Sequence, residues 1–111
     1  MATDLSSETG PRVAARVAMD ASANNTEEIT LPKWCRKITV AFRNAGDANQ
    51  AGQLAWSGTD GAAIGTNAFD IPSGSPTEFA ITGGRNRDLN GATVWLAGNS
   101  ANAFAHILME A

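Results

Sequence analysis

The side chains of this chain that could do chemistry are few. It has one histidine, His106, and one cysteine, Cys35. General acid-base catalysis needs a titratable group held at hydrogen-bond distance from a partner. His106 stands among Phe104, Ala105, Ile107 and Leu108, company that marks a structural or interface residue. Ser57 or Ser75 with Asp60 or Asp70 would complete a Ser-His-Asp set, but no G-x-S-x-G elbow precedes a helix. One His and one Cys cannot give zinc its three or four ligands. Asp47, Asp60, Asp70 and Asp88 lie in loops that could offer oxygens to calcium, yet no run has the spacing of a calcium loop. The segment Gly83-Gly-Arg-Asn-Arg-Asp88 has backbone amides and two arginines that suit a phosphate. Without a helix after it, the segment reads as a charged loop that contacts a neighbour. Three tryptophans could stack on sugars. Trp56 and Trp95 fall in the alternation of core strands, which leaves Trp34 the freer. The reading is of a protein that is not an enzyme and holds no cofactor or metal.

The elements that must position these residues are organised around Leu31 to Phe42. There Ile38, Val40 and Phe42 alternate with Lys37, Thr39 and Arg43, the pattern of a strand with one buried and one wet face. Apolar segments at 53–57, 62–64, 69–71, 78–82, 93–97 and 103–109 follow, separated by Gly, Asn, Asp and Pro turns. Ala62 to Ile64 is expected to return antiparallel from the turn at 58–61, and Phe69 and Ile71 to share a face. The last two segments are apolar on both faces, as central strands are. Cys35, beside Trp34 at a strand entrance, reads as a buried thiol. The fold class predicted is all-β, a small antiparallel sandwich or barrel of six to eight strands over residues 29–111.

Residues 1–28 differ from this body. They are small and polar and carry five acidic against two basic side chains, so they hold the whole net charge of −3, while the remainder balances at six and six. Such a body lacks the dense basic surface that phosphates attract, which disfavours nucleic acid. Arg12 to Met19 can be a helix with Val13 and Val17 on one face, or a strand of poor alternation. Neither would hold by itself. These residues are therefore read as an N-terminal arm, held by neighbouring subunits or, in the alternative, packed along its own body. No secretory signal and no membrane span is read, so synthesis in a cytoplasm is expected.

The entry LPKWCRKITVAF, the middle GTDGAAIG and the closing NGATVWLAGNSANAFAHILMEA together resemble small virion proteins of tailed bacteriophages. The resemblance implies a non-enzymatic capsid cement or decoration protein, or a head, neck or tail adaptor. Its partner would be the major capsid protein or another virion protein. It would be a homo-oligomer located in the virion and made in the host cytoplasm. The residues expected to meet partners are Arg12, Val13, Arg16, Val17 and Met19 of the arm, Trp34, and Arg85 and Arg87 of the charged loop. The competing reading is a carbohydrate- or ligand-binding module built on Trp34 and the Asn/Gly loops.

Overall fold

The structure is a computed structural model that describes residues 2–81, 87–88 and 91–111. Among these residues there is no helix, and the class is all-β. The alternation read at 37–43 is a strand, β4 (Lys37–Arg43), with Ile38, Val40 and Phe42 at most 2% exposed and the four residues that alternate with them half-buried. The strands before it are β1 (Ala2–Asp4), β2 (Arg12–Ala18) and β3 (Glu27–Thr30). Those after it are β5 (Asn49–Gln50), β6 (Gly52–Ala55), β7 (Phe69–Ile71), β8 (Thr77–Ala80), β9 (Arg87–Asp88), β10 (Gly91–Gly98) and β11 (Phe104–Glu110).

They form two sheets. The first runs β1-β3-β10-β6-β7, with β9 also against β10; the second runs β2-β11-β4-β5, with β8 also against β4. All pairings are antiparallel except β1 with β3. The two segments that read as apolar on both faces, β10 and β11, are the central strands of their sheets.

One core lies between the sheets. Val17, Ile38, Val40, Phe42, Ala105, Ile107 and Met109 reach it from the second sheet, and Ile29, Leu54, Ile71, Val94 and Leu96 from the first. Burying a side chain of this size stabilises by roughly 1.5–3 kcal/mol. The sheets pack tightly at Phe42. Gly52 and Gly98 pair directly across β6 and β10, and a Cβ on Gly52 would fall inside the Phe42 ring. The opposed glycines form a notch that receives the ring.

The leader is not an arm. β2 pairs with β11 along all seven residues, from Arg12 with Glu110 to Ala18 with Phe104, and β1 pairs with β3. No boundary falls at residue 28. Arg12 to Ala18 is a strand because β11 satisfies its backbone and the core takes Val17; the poor alternation comes from alanines on both faces. The strands number eleven among the described residues, against the expected six to eight. The leader supplies β1, β2 and the first half of β3, and β5 and β9 are two-residue pairings with no periodicity to read.

One further expectation changes. Ala62–Ile64 makes no hairpin with β6: Ala63 bridges Asn25, and the Thr26 amide donates to the Ala62 carbonyl at 2.8 Å. The Thr26 hydroxyl donates to the Thr59 carbonyl, and the Glu28 amide to Asp60 Oδ1. The turn at 58–61, with Gly61 at φ 81°, therefore folds back onto the start of β3. Phe69 and Ile71 do share a face, opposite Leu54 and Gly52 of β6; Ile71 is fully buried, while Phe69, at the sheet edge, is 58% exposed with its ring 5.9 Å from that of Phe79.

Glu27 is a carboxyl inside this core, with no exposed surface. The Thr3 hydroxyl donates to its Oε2 at 2.6 Å, while Oε1 has no partner among the described residues. Burial pushes its pKa up, the Thr3 hydrogen bond pulls it down, and the Asp60 and Asp20 carboxylates push it up further; the net direction is upward. A carboxyl whose folded pKa exceeds its unfolded value binds protons more readily in the native state. Its contribution to stability is then full below the unfolded value near 4.5 and is lost as pH rises through the raised folded value. Urea unfolding across that window is expected to show wild type losing stability relative to Glu27→Gln as pH rises. A difference between the two that does not change with pH would contradict this.

Candidate functional site

The outer face of the second sheet carries the most developed site. Alternation puts Arg12, Ala14, Arg16 and Ala18 of β2 on this face, beside Glu110, Leu108, His106 and Phe104 of β11, then Lys37, Thr39, Ala41 and Arg43 of β4. The cross-strand rows are Arg16-His106-Ala41 and Ala14-Leu108-Thr39. Ala41 beside His106, and Ala14 and Thr39 beside Leu108, are short, so the face sinks into a groove of about 580 Å³. Gly74 and Pro76 of the loop before β8 stand along one side and Asn49 closes a corner.

Each end of the groove is charged. At one end the Arg16 guanidinium lies over the Phe104 ring, 4.2 Å from its centre, with Nη2 3.4 Å from Asp47 Oδ1. Arg43 Nη1 donates to the Asp47 carbonyl at 3.1 Å, from a turn in which Asp47 adopts φ 65° and Asn44 Oδ1 accepts from the Ala48 amide. Two arginines against one carboxylate leave this end with a positive surplus. At the other end Glu110 lies between Arg12 Nε and Lys37 Nζ, both at 3.5 Å, and Lys37 also reaches Glu78 at 3.9 Å. These exposed pairs contribute about 0–1 kcal/mol each and mainly fix side-chain positions. His106 stands on the floor between the ends, and its Nε2 is buried without a partner among the described residues.

Of the residues expected to meet partners, Arg12 and Arg16 share this face. Val13 and Val17 point the opposite way, to the core side, and Val17 and Met19 are 5% exposed. Trp34 is not free: its Nε1 donates to the Glu8 carbonyl at 2.8 Å, and its ring covers Gly10, where an added Cβ would stand 2.8 Å from the indole. It clamps the leader. Trp95 belongs to the outer face of the first sheet, between Glu28 and Ala55, with Gly58 against its ring. Trp56 meets the Phe79 ring edge-on at 6.2 Å. Arg85 lies outside the described residues, and of Arg87 only the backbone, in β9, is described.

Cys35 is fully buried, and its Sγ donates to the Lys37 carbonyl at 3.4 Å. Among the described residues no three His, Cys, Asp or Glu side chains converge as a metal site would require, and no helix is long and apolar enough to cross a membrane. The groove residues missed in the sequence are Thr39, Ala41, Arg43 and Asn49. Small residues opposite an outward His106 were the available signal.

Fold and site together define an all-β protein of two sheets with one grooved, charge-bounded face. In comparisons with known proteins the chain matches no family model, no curated protein and no solved structure.

Proposed function

We propose that this is a non-enzymatic virion structural protein of the cement or decoration kind, which attaches to a capsid or other virion protein by the grooved face of its second sheet. The observation that carries this reading is a rigid, shaped face with a positive surplus at one end. The arm that first suggested attachment is built into the sheets, so contact with coat subunits falls to a preformed surface. A rigid surface binds without the ordering cost of about 1–2 kcal/mol per residue that a mobile arm would bear. The partner element that suits the groove is a protruding loop, with an apolar side chain over Ala14, Ala41 and Leu108 and a carboxylate toward Arg43 and Asn49.

The test has two parts. Mass spectrometry of purified phage heads from cells that produce the chain is expected to find it at a fixed ratio to the coat subunit. Ala41→Trp, which fills the groove from its half-exposed floor, is expected to leave thermal unfolding nearly unchanged while weakening co-sedimentation with heads by about tenfold or more. Absence of the chain from heads, or full binding by Ala41→Trp, would overturn the reading.

The groove volume also lies in the range of small-ligand sites, roughly 300–1,000 Å³. That favours a second reading, a carbohydrate- or ligand-binding module with the ligand in this groove rather than on Trp34. A glycan array that gives a signal with wild type and none with Ala41→Trp would select it.

A further inference from the structure

β2 forms one border of the second sheet, and its ladder is satisfied on one side only. The Met19 amide donates to the Ala103 carbonyl and the Ala111 amide to the Pro11 carbonyl. These bonds extend the β2 register with β11 at both ends, so the odd-numbered residues between them exchange bonds with β11. The N–H and C=O groups of Arg12, Ala14, Arg16 and Ala18 therefore point away from the sheet, and none has a backbone partner among the described residues. The other border strands, β1, β5, β7 and β8, have two to four residues; β2 has seven.

Borders of this length are usually blunted by a proline, a bulge or an inward-pointing charge. β2 has none of these within it. Its core-facing residues are Val13, Ala15 and Val17, of which Val13 and Ala15 are only half-buried. Its two arginines turn back over their own sheet, Arg12 to Glu110 and Arg16 to Asp47 across the Phe104 ring, and so leave the border clear.

We infer that this border pairs with β2 of a second copy of the chain, antiparallel, about a two-fold axis at Ala15. The pairing is self-complementary. Arg12 falls opposite Ala18 and Ala14 opposite Arg16, all with outward backbone groups, which makes about eight inter-strand hydrogen bonds. On the core side Val13 falls opposite Val17, and Ala15 opposite Ala15, covering the apolar surface that one copy leaves half-exposed. Sliding by one step of the ladder loses this match. Centred on Ala14, Arg12 meets Arg16; centred on Arg16, Arg16 meets itself; like charges directly opposite are destabilising. The two five-stranded sheets then join into one continuous sheet that carries both grooves on one face.

Light scattering of the full chain at high micromolar concentration is expected to give about 23 kDa, twice the 11.5 kDa of one copy. Ala15→Cys places two thiols across a non-hydrogen-bonded pair, where Cα atoms stand about 4.5 Å apart, within disulfide range. It is expected to cross-link in a glutathione redox buffer, whereas Ala14→Cys is not. Ala14→Pro removes only an outward N–H, so it is expected to keep the fold, read from the dispersion of its amide spectrum, and to weaken dimerisation at least tenfold. A mass of 11.5 kDa at every concentration with no Ala15→Cys cross-link would overturn the inference, and cross-linking of Ala14→Cys in place of Ala15→Cys would overturn its register. The pairing does not depend on the attachment reading, since it is measured on the isolated protein without virion components.

Discussion

A chain shortened to begin at Met19 is expected not to fold. The deletion removes β1 and β2, and with them the ladder that satisfies one side of β11 over seven residues. It uncovers Ile107, Ala105 and Met109 along the gap left by Val13, Ala15 and Val17, strips Thr3 from the buried carboxyl of Glu27, and leaves the Trp34 indole with neither its Glu8 acceptor nor its Gly10 seat. A buried carboxyl left without a partner adds a cost of roughly 1–3 kcal/mol or more. Together with the lost apolar burial, at roughly 1.5–3 kcal/mol per large side chain, the sum reaches the whole stability of a small domain, about 5–15 kcal/mol. Circular dichroism and amide proton spectra of the shortened chain would decide the matter. A dispersed spectrum with a cooperative thermal transition near that of the full chain would mean that the leader is dispensable.

The second large effect is expected where the sheets touch. Phe42→Ala empties the notch formed by Gly52 and Gly98, and large-to-small changes of this kind cost about 3–5 kcal/mol. Gly52→Ala puts a methyl group into the same ring from the other side, an overpacking that costs typically 1–3 kcal/mol. The two changes are opposite in sense, so combining Gly52→Ala with Phe42→Leu is expected to cost less than the two single losses added. Urea unfolding of the single and double variants measures that coupling. Strict additivity would show that the ring does not sit in the notch.

The notch also marks the limit of what was legible. The sequence displays Phe42 as an inward residue of an alternating strand, and it displays Gly52 and Gly98 as residues of polar loops. Nothing local says that the two glycines face each other across β6 and β10. The class, the strands β4, β6, β7, β8, β10 and β11, and the central placing of β10 and β11 were readable, because each turns at least one large apolar side chain into the core and β4 does so at every second residue. β2 was not, since alanine at 14, 15 and 18 is neutral about which face is wet, and only β11 decides between strand and helix there. Trp34 was misassigned for a related reason. Its exposed-looking setting, between Lys33 and Arg36, says nothing of a leader that returns to cover it. In the site, Arg12 and Arg16 were read as partner-facing, and they do border the groove. Ala41 and Thr39 were passed over, because small residues become a feature only when a neighbouring strand places taller ones around them.

The pairing of β2 with β11 joins the two extremes of the chain, and β3 likewise waits for β10. During synthesis β1 can meet β3, but β2 and the second side of β3 wait until β11 and β10 have emerged. Folding is then slow for the chain's length, because contacts between distant residues must form before either sheet closes. A nascent chain of this kind spends its synthesis with β4 and its apolar face exposed, and its yield in cells depends on what shields that strand until β11 arrives.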